Sequence, residues 1–359
     1  MKLLCLLLLL SCYSQATAQN PDSTNARQRR VLLLPTVGHA PETRWYIGAF
    51  SLFTLRHHSG THTRPSQFIA AANFTQNRQL VLSTEWNVFA KEGNYYSTGE
   101  LVYLKFPENF YGIGPDAPAG HVEQYDSKRI EFNVTLLRRI KRHLYVGPRY
   151  QLQYMFALEP APGGILDRKL VPGATGGLSS GVGAAAVFDN RQHILNPQQG
   201  TYAAASATAF GRATGSDFGF IRYQLDLRHY FRLPWQQHLL ALQAYGVFSS
   251  GSPPFRMLGL LGSSSIMRGY YPGRYRERQY LALQAEYRLP LFRRFGAAAF
   301  AGAGDVAYQL RQFQLTEFKP SYGLGLRFKI NRQENLNLRL DYARGHNTSA
   351  FYLTLGEAF

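Results

Sequence analysis

Leu144-Tyr145-Val146-Gly147-Pro148-Arg149-Tyr150-Gln151-Leu152-Gln153-Tyr154-Met155-Phe156 decides the fold class. Leu144, Val146, Pro148, Tyr150, Leu152, Tyr154 and Phe156 share one face of an extended chain. Gly147, Arg149, Gln151 and Gln153 share the other. Side chains that alternate in this way belong to a strand with one apolar and one polar face. The period recurs. In 45–55, Trp45, Ile47, Ala49, Phe53 and Leu55 lie together. In 221–232, Ile221, Tyr223, Leu225, Leu227 and Phe231 oppose Arg222, Gln224, Asp226, Arg228 and Arg232, with His229 the exception on the apolar side. Period two alone fits a soluble sandwich and a membrane barrel equally. Length separates them: these stretches run about 11 to 15 residues, against ~5–6 for ordinary globular strands and ~9–11 for membrane strands. Tyr and Phe gather near the strand ends, where membrane barrels carry interface girdles. Beyond the amino terminus no stretch approaches the ~20 apolar residues of a spanning helix. The expected fold is therefore all-β: a transmembrane antiparallel β-barrel.

The amino terminus places the chain. Met1-Lys2 is followed by an apolar run over 3–10 broken only by Cys5, and Ala16-Thr17-Ala18 offers a small-x-small cleavage site. This is the pattern of a secretory signal peptide. A second reading takes Leu9-Leu10-Ser11-Cys12 as a lipoprotein site, with Cys12 acylated. Both cysteines, Cys5 and Cys12, lie in this leader, so disulfides and thiolate metal sites are excluded from the mature chain. The expected division is a signal peptide over 1–18, a short polar periplasmic segment over 19–30 and one outer-membrane barrel domain over 31–359.

Fifteen strands follow from the alternation: 44–57, 66–75, 79–91, 95–106, 124–140, 143–157, 175–189, 199–212, 217–233, 236–250, 279–291, 295–307, 321–331, 336–345 and 350–359. Long connectors (107–123, 158–174, 251–278, 308–320) interleave with short ones (141–142, 233–236, 292–294, 331–335). Membrane barrels put the long ones outside and the short ones in the periplasm. An even count is needed to bring both termini to the periplasm, and 31–39 supplies the sixteenth strand. It contains Pro35, which an edge or seam strand tolerates and a central strand does not. At the other end of the chain Phe351, Leu353, Leu355 and Phe359 would share the lipid face of a last strand, with Glu357 interrupting it. Pro35 and Phe359 are thus the residues expected at the seam.

Gly262-Ser263-Ser264-Ser265-Ile266-Met267-Arg268-Gly269-Tyr270, followed by a strand with Glu286-Tyr287-Arg288-Leu289-Pro290-Leu291, resembles the BamA/TamA family of outer-membrane assembly proteins, the bacterial surface antigen superfamily. Pro41-Glu42-Thr43, Tyr111-Gly112-Ile113-Gly114, Asp189-Asn190-Arg191, Asn196-Pro197-x-x-Gly200, 300–306, Tyr322-Gly323-x-Gly325 and Leu338-Arg339-Leu340-Asp341 match as well. The resemblance implies that the long connector between the eleventh and twelfth strands folds into the lumen and that its Arg268 meets an acidic wall residue. Alternation puts Glu286 on the lumen face with Tyr280, Gln284 and Arg288, which makes it the expected partner. Gly269 would allow a tight turn and Tyr270 would stack on the wall. Two departures stand out. Large members carry POTRA modules before the barrel, and only about a dozen residues precede the first strand here, so a barrel-only member is expected. The Asp that the family often places two residues after Phe is Gly302 here, and Asp305 points to the opposite face.

Other signals carry less. Gly177-Leu178-Ser179-Ser180-Gly181 has the nucleophile-elbow spacing but lies in a Gly-rich strand rather than a strand–turn–helix. His57, His58 and His62 cluster in a short turn, where solvation is commoner than metal binding. No catalytic, cofactor or metal residue is expected, and the chain does not read as an enzyme. A net charge of +17 would suit nucleic acid, but an exported protein does not meet it; anionic headgroups and a charged lumen account for it better. The preferred function is assistance in inserting or translocating proteins or lipids at the outer membrane. Its partners would be outer-membrane lipids and, with them, client outer-membrane proteins or a separate periplasmic protein. The alternatives are a passive or gated pore, with Arg149, Arg222, Arg228, Arg232 and Arg327 facing inward, and an enzyme such as a barrel phospholipase.

Overall fold

A computed structural model describes residues 28–56, 64–118, 120, 122–234 and 237–359. The expected signal peptide, with Cys5 and Cys12, and the cluster His57, His58 and His62 lie outside the described residues. The strands are β1 Gln28–Ala40, β2 Arg44–Arg56, β3 Ser66–Thr75, β4 Leu80–Ala90, β5 Tyr95–Phe110, β6 Glu123–Lys141, β7 Leu144–Pro160, β8 Gly177–Asp189, β9 Gly200–Phe210, β10 Phe220–Arg232, β11 Leu239–Gly251, β12 Gln279–Pro290, β13 Phe295–Ala307, β14 Lys319–Asn331, β15 Leu336–Gly345 and β16 Thr348–Leu355. Each pairs antiparallel with its sequence neighbours, and β16 returns to β1, closing a barrel of sixteen strands. The count and order agree with the sequence reading. Within the β11–β12 connection a small hairpin pairs Gly259–Leu261 with Tyr275–Glu277.

The alternation appears as two faces. Val31, Leu33, Ile47, Leu324 and Phe351 are exposed on the outer wall, whereas Gln151, Gln153, Arg327 and Arg339 are buried on the inner one. A barrel in lipid needs this inversion, because its outer face meets hydrocarbon and its polar side chains can only be satisfied inside. The long connections, 161–176 and 252–278 among them, gather at one end of the barrel, here the loop end. The short ones, 91–94, 142–143 and 332–335, lie at the turn end. Three strands run further than their alternation suggests: β1 begins at Gln28, inside the polar segment expected over 19–30, and two others extend at the loop end. β5 continues to Phe110 and β7 to Pro160. Polar residues such as Asp126 and Glu159, paired with each other across β6 and β7, replace the apolar face there. Backbone pairing persists beyond the apolar band, so hydropathy understates strand length.

The seam departs from expectation. β1 and β2 pair along their full lengths from Gln28↔Arg56 to Ala40↔Arg44. β1 and β16 share the single ladder pair His39↔Leu353, with His39 Nδ1 3.0 Å from the Phe351 carbonyl oxygen. β16 stops at Leu355 because Gly356, at φ +84°, turns the chain out of the sheet. Phe359 does not lie on the lipid face with Phe351. It is buried with Ala358 against Tyr230, Leu239 and Ala241 on the inner side of β10 and β11. The cause is Glu357. Continued alternation would put its carboxylate in hydrocarbon, where an unpaired charge is prohibitively costly. Turned inward, it meets Arg327 Nε at 2.9 Å and Asn337 Nδ2 at 2.6 Å. Pro35 remains on the exposed outer face of β1, paired with Ala49 of β2.

In detergent, the protein should migrate differently on gels before and after boiling, and its far-UV circular dichroism should be that of a β-protein. A helix-dominated spectrum would contradict this fold.

Candidate functional site

The connection 252–278 enters the barrel because its own apolar residues find partners there. Leu261, Met267, Tyr270 and Tyr275 pack against Val247, Tyr280, Ala282 and Val306, all on inward positions of β11, β12 and β13. Nearer the loop end, Phe255 lies edge-on to Phe110 and Tyr125, with ring centroids 5.5 Å away in each case. Arg256 Nη1 reaches Glu108 Oε1 at 3.1 Å. Glu108 also accepts from Arg129 Nη1 at 3.1 Å and from the Tyr125 hydroxyl at 2.7 Å.

Arg268 forms the deeper anchor. It is 1% exposed, with Nη2 2.5 Å from Glu286 Oε2 and Nη1 2.5 Å from Asp341 Oδ2. Its guanidinium lies 3.4 Å from the centre of the Phe300 ring, where the ring's negative face attracts it. Glu286 also accepts from Arg288 Nε at 2.6 Å and Arg327 Nη2 at 3.2 Å. Arg327 Nη1 reaches Asp341 Oδ1 at 2.5 Å, and Arg339 Nη1 lies 3.6 Å from Asp341 Oδ2. Glu357, from the chain end, closes the group through Arg327 and Arg288. Arg288 Nη2 further donates to the Phe359 backbone oxygen at 2.9 Å. Four arginines thus share three carboxylates. None is satisfied by a single partner, which is how buried charge is tolerated.

Gly269 and Tyr270 fix the tip of the loop. Gly269 has φ +102°, and a Cβ there would come within 2.8 Å of the Gly345 nitrogen. Its own N–H donates to the Tyr352 hydroxyl at 2.9 Å. The Tyr270 hydroxyl donates to the Pro320 carbonyl and accepts from the His346 N–H, each at 2.7 Å. A Cβ on Gly345 would strike the Tyr270 ring at 2.5 Å, so two glycines allow the loop to lie flat on β15. Gln284 Nε2 donates to the Ser265 carbonyl at 3.0 Å from the neighbouring wall. The inward Gly302 position leaves Gln284 its room: a Cβ there would sit 3.0 Å from Gln284 Cβ.

The structure therefore brings Arg268, Gly269, Tyr270 and Glu286 together and takes Phe359 away from the seam. Sequence reasoning missed Asp341, Arg339 and Glu357 as members of the network. Signals for them existed: Asp341 and Arg339 lie in a stretch that matched the family, and Glu357 is the one charge in an otherwise apolar end. Of the arginines expected to line an open lumen, Arg327 is in the network and Arg228 pairs with Asp226 at 2.5 Å. Arg222 donates to the Met257 carbonyl of the loop at 3.2 Å, Arg149 donates to Gln224 Oε1 at 3.1 Å, and Arg232 is exposed at the turn end. Ser179 and Ser180 lie within β8, and Ser180 Oγ is 3.0 Å from the Tyr150 hydroxyl.

Residues 60–359 match the model of the Omp85 superfamily domain. The chain belongs to the Omp85 superfamily. Among solved structures, this Omp85 barrel is similar to BamA from Haemophilus ducreyi lacking POTRA domains 1-3, with a TM-score of 0.59 and 12% identity over 92% of this chain and 70% of that one. It is similar to CdiB from Acinetobacter baumannii, with a TM-score of 0.59 and 13% identity over 92% and 59% of the two chains. CdiB from Escherichia coli gives 0.57 and 10% over 92% and 67%. At these identities the likeness is one of fold. No curated protein matches the chain in sequence. Barrels of this superfamily are characteristic of the bacterial outer membrane, which agrees with the apolar outer wall.

Removing one member of a buried ion pair typically costs ~3–5 kcal/mol. Arg268→Ala should destabilise the folded barrel by about that amount in urea titrations followed by gel shift. Glu286→Ala should cost more, since it strands three arginines rather than two carboxylates. The Arg268→Ala/Asp341→Ala pair should cost clearly less than the sum of its singles. Strict additivity would show that Arg268 and Asp341 do not interact.

Proposed function

We propose that this Omp85 barrel assists the insertion or translocation of client proteins or lipids at the outer membrane, and that it acts through the β1–β16 seam. One observation carries this reading: the two strands share the single pair His39↔Leu353. Among the described residues, the rest of β1 towards Gln28 has no strand on that side, while its Val31, Leu33 and Val37 side chains are exposed on the outer wall. An unpaired edge is a template for another strand. At membrane depth its free peptide groups also disturb the lipid beside it. Clients would be outer-membrane proteins adding a strand to this edge, delivered by a separate periplasmic partner, or lipids moving along it. A pore is the weaker reading, because the loop and its arginine–carboxylate contacts occupy the lumen where ions would pass. The roles of Arg268, Gly269, Tyr270 and Glu286 would be to hold that loop and so to set the shape of the wall next to the seam.

Locking the seam tests the proposal. His39→Cys/Leu353→Cys joins directly opposite positions, whose Cα spacing in an antiparallel pair suits a disulfide. In liposomes, the oxidised variant should lose client insertion or lipid scrambling, and reduction should restore it. Equal activity in both states would sink the seam mechanism. Steady ion conductance without either activity would support the pore.

A further inference from the structure

β1 departs from the alternation of polar and apolar residues. Val31-Leu32-Leu33-Leu34-Pro35 is apolar at every position, so both faces of the strand are apolar there. Val31 and Leu33 are exposed on the outer wall. Leu32 and Leu34 alternate with them and face the lumen, where Leu32 lies opposite Leu52 and Leu34 opposite Phe50 on β2. On β3, Ile69 lies opposite Leu52 and Ala71 opposite Phe50. These six residues form one contiguous apolar patch on the lumen face of β1–β3. Polar groups frame it. Towards the loop end the Thr36 hydroxyl donates to Asn73 Oδ1 at 3.1 Å. Towards the turn end the Thr54 hydroxyl donates to Glu334 Oε2 at 3.2 Å. On β4 the next positions in these rows are Glu85 and Ser83. The fourth side is the open edge of β1.

Among the described residues, the apolar contacts of the loop lie elsewhere, on β11, β12 and β13 and around Phe110 and Tyr125. Leu32, Leu34, Phe50, Ile69 and Ala71 are only half-buried, and Glu85 beside them is exposed to the lumen. Leu52 alone of the six is fully covered. Apolar surface left open in a wet lumen is unfavourable unless something apolar lies on it. A client strand is a poor match, because strands of outer-membrane barrels turn polar side chains to the lumen. Hydrocarbon is a good match, and the bilayer already meets the same edge from outside. At the turn end of β1, Arg29 is exposed and has no ion pair or hydrogen bond among the described residues; Arg30, on the opposite face, lies 3.6 Å from Glu334. From there the run Val31 to Pro35, at ~3.3 Å per residue, spans roughly half of a ~30 Å hydrocarbon core. The unpaired cation thus stands at headgroup level below one leaflet of apolar strand.

With the short connections in the periplasm, as in outer-membrane barrels, we propose that a phospholipid of the periplasmic leaflet straddles the open edge of β1. Its phosphate sits at Arg29. One acyl chain lies outside on Val31 and Leu33, and the other enters the lumen onto Leu32, Leu34, Phe50 and Ile69. This rests on the seam reading above and narrows it: what the seam admits is a lipid, not a strand of another barrel.

Nitroxide labels on single added cysteines test this in liposomes of phosphatidylethanolamine and phosphatidylglycerol. Oxygen concentrates in hydrocarbon and a nickel chelate stays in water, so collisions with each report what covers a label. Labels at Leu34→Cys and Phe50→Cys should meet oxygen as often as one at Leu33→Cys on the outer wall, and a label at Glu85→Cys should meet nickel. Nickel-accessible labels at Leu34→Cys and Phe50→Cys would overturn the inner acyl chain. Leu34→Gln/Phe50→Gln puts polar groups on the patch and should slow scrambling of a fluorescent phospholipid about tenfold. Heat-dependent gel mobility confirms that this variant is folded, and the labels give the answer if it is not. Arg29→Gln should lower the phosphatidylglycerol that native mass spectrometry finds on the purified barrel; unchanged retention would remove Arg29 from the site. Client insertion lost with scrambling intact in Leu34→Gln/Phe50→Gln would assign the patch to a protein and overturn the lipid. The seam disulfide separates this inference from the reading it rests on. If locking the seam stops scrambling and the folded Leu34→Gln/Phe50→Gln variant scrambles at the wild-type rate, only the lipid site falls. If neither change affects scrambling, the seam reading falls with it.

Discussion

A peptide group in hydrocarbon has no water to bond, so every strand edge at membrane depth must find another strand. That requirement organises this Omp85 barrel. Fifteen of the junctions between neighbouring strands run as extended ladders, and the sixteenth, at the seam, is a single pair. A closed sheet with one weak junction concentrates its unsatisfied backbone in one place. The side of β1 towards Gln28 is where that pairing is left incomplete.

The same requirement drives charge inward, where it becomes the means of holding the loop. Arg268 crosses from the loop to two walls at once, reaching Glu286 on β12 and Asp341 on β15. Planar guanidinium groups suit this role, since each can bond two carboxylates in fixed directions. Because Glu286 serves three arginines from three different segments, the loop, β12 and β14 are positioned by one carboxylate. A buried network of this kind is weak evidence for added stability but can specify one arrangement over others.

Much of this was legible in the residues. The alternation in 144–156, the long strand lengths and the rhythm of long and short connectors were enough for sixteen strands, because period two reports the two faces directly. Glu286 could be placed on the lumen side by parity alone. Arg268 could not: a loop residue has no periodicity, and only the resemblance of its motif pointed inward. Asp341 escaped because nothing local distinguishes one inward carboxylate from another; the pairing is set by a contact 73 residues away in sequence. Phe359 was misplaced because alternation was carried past Gly356, whose left-handed conformation ends the strand. Glu357 held the clue, since a charge on a lipid face is a reason for the chain to leave it.

The weakness of the seam and the content of the lumen then have a common origin. Continuing the register of His39↔Leu353 would set Glu357 opposite Pro35 and Phe359 opposite Leu33. On that path Glu357 would face hydrocarbon, and Pro35 would offer no N–H to the ladder. Both residues therefore oppose extension of β16 along β1. In the lumen the same segment gains Arg327, Arg288 and Asn337 for Glu357, and an apolar seat for Phe359 beside Tyr230, Leu239 and Ala241. The chain end is thus held in the network that also holds Arg268. Removing Arg268 from Glu286 and Asp341 changes the balance of charge around Arg327, which also holds Glu357. Loop and chain end are thus joined through shared groups: Glu286 takes Arg268 of the loop, and Arg288 and Arg327 link Glu286 to Glu357.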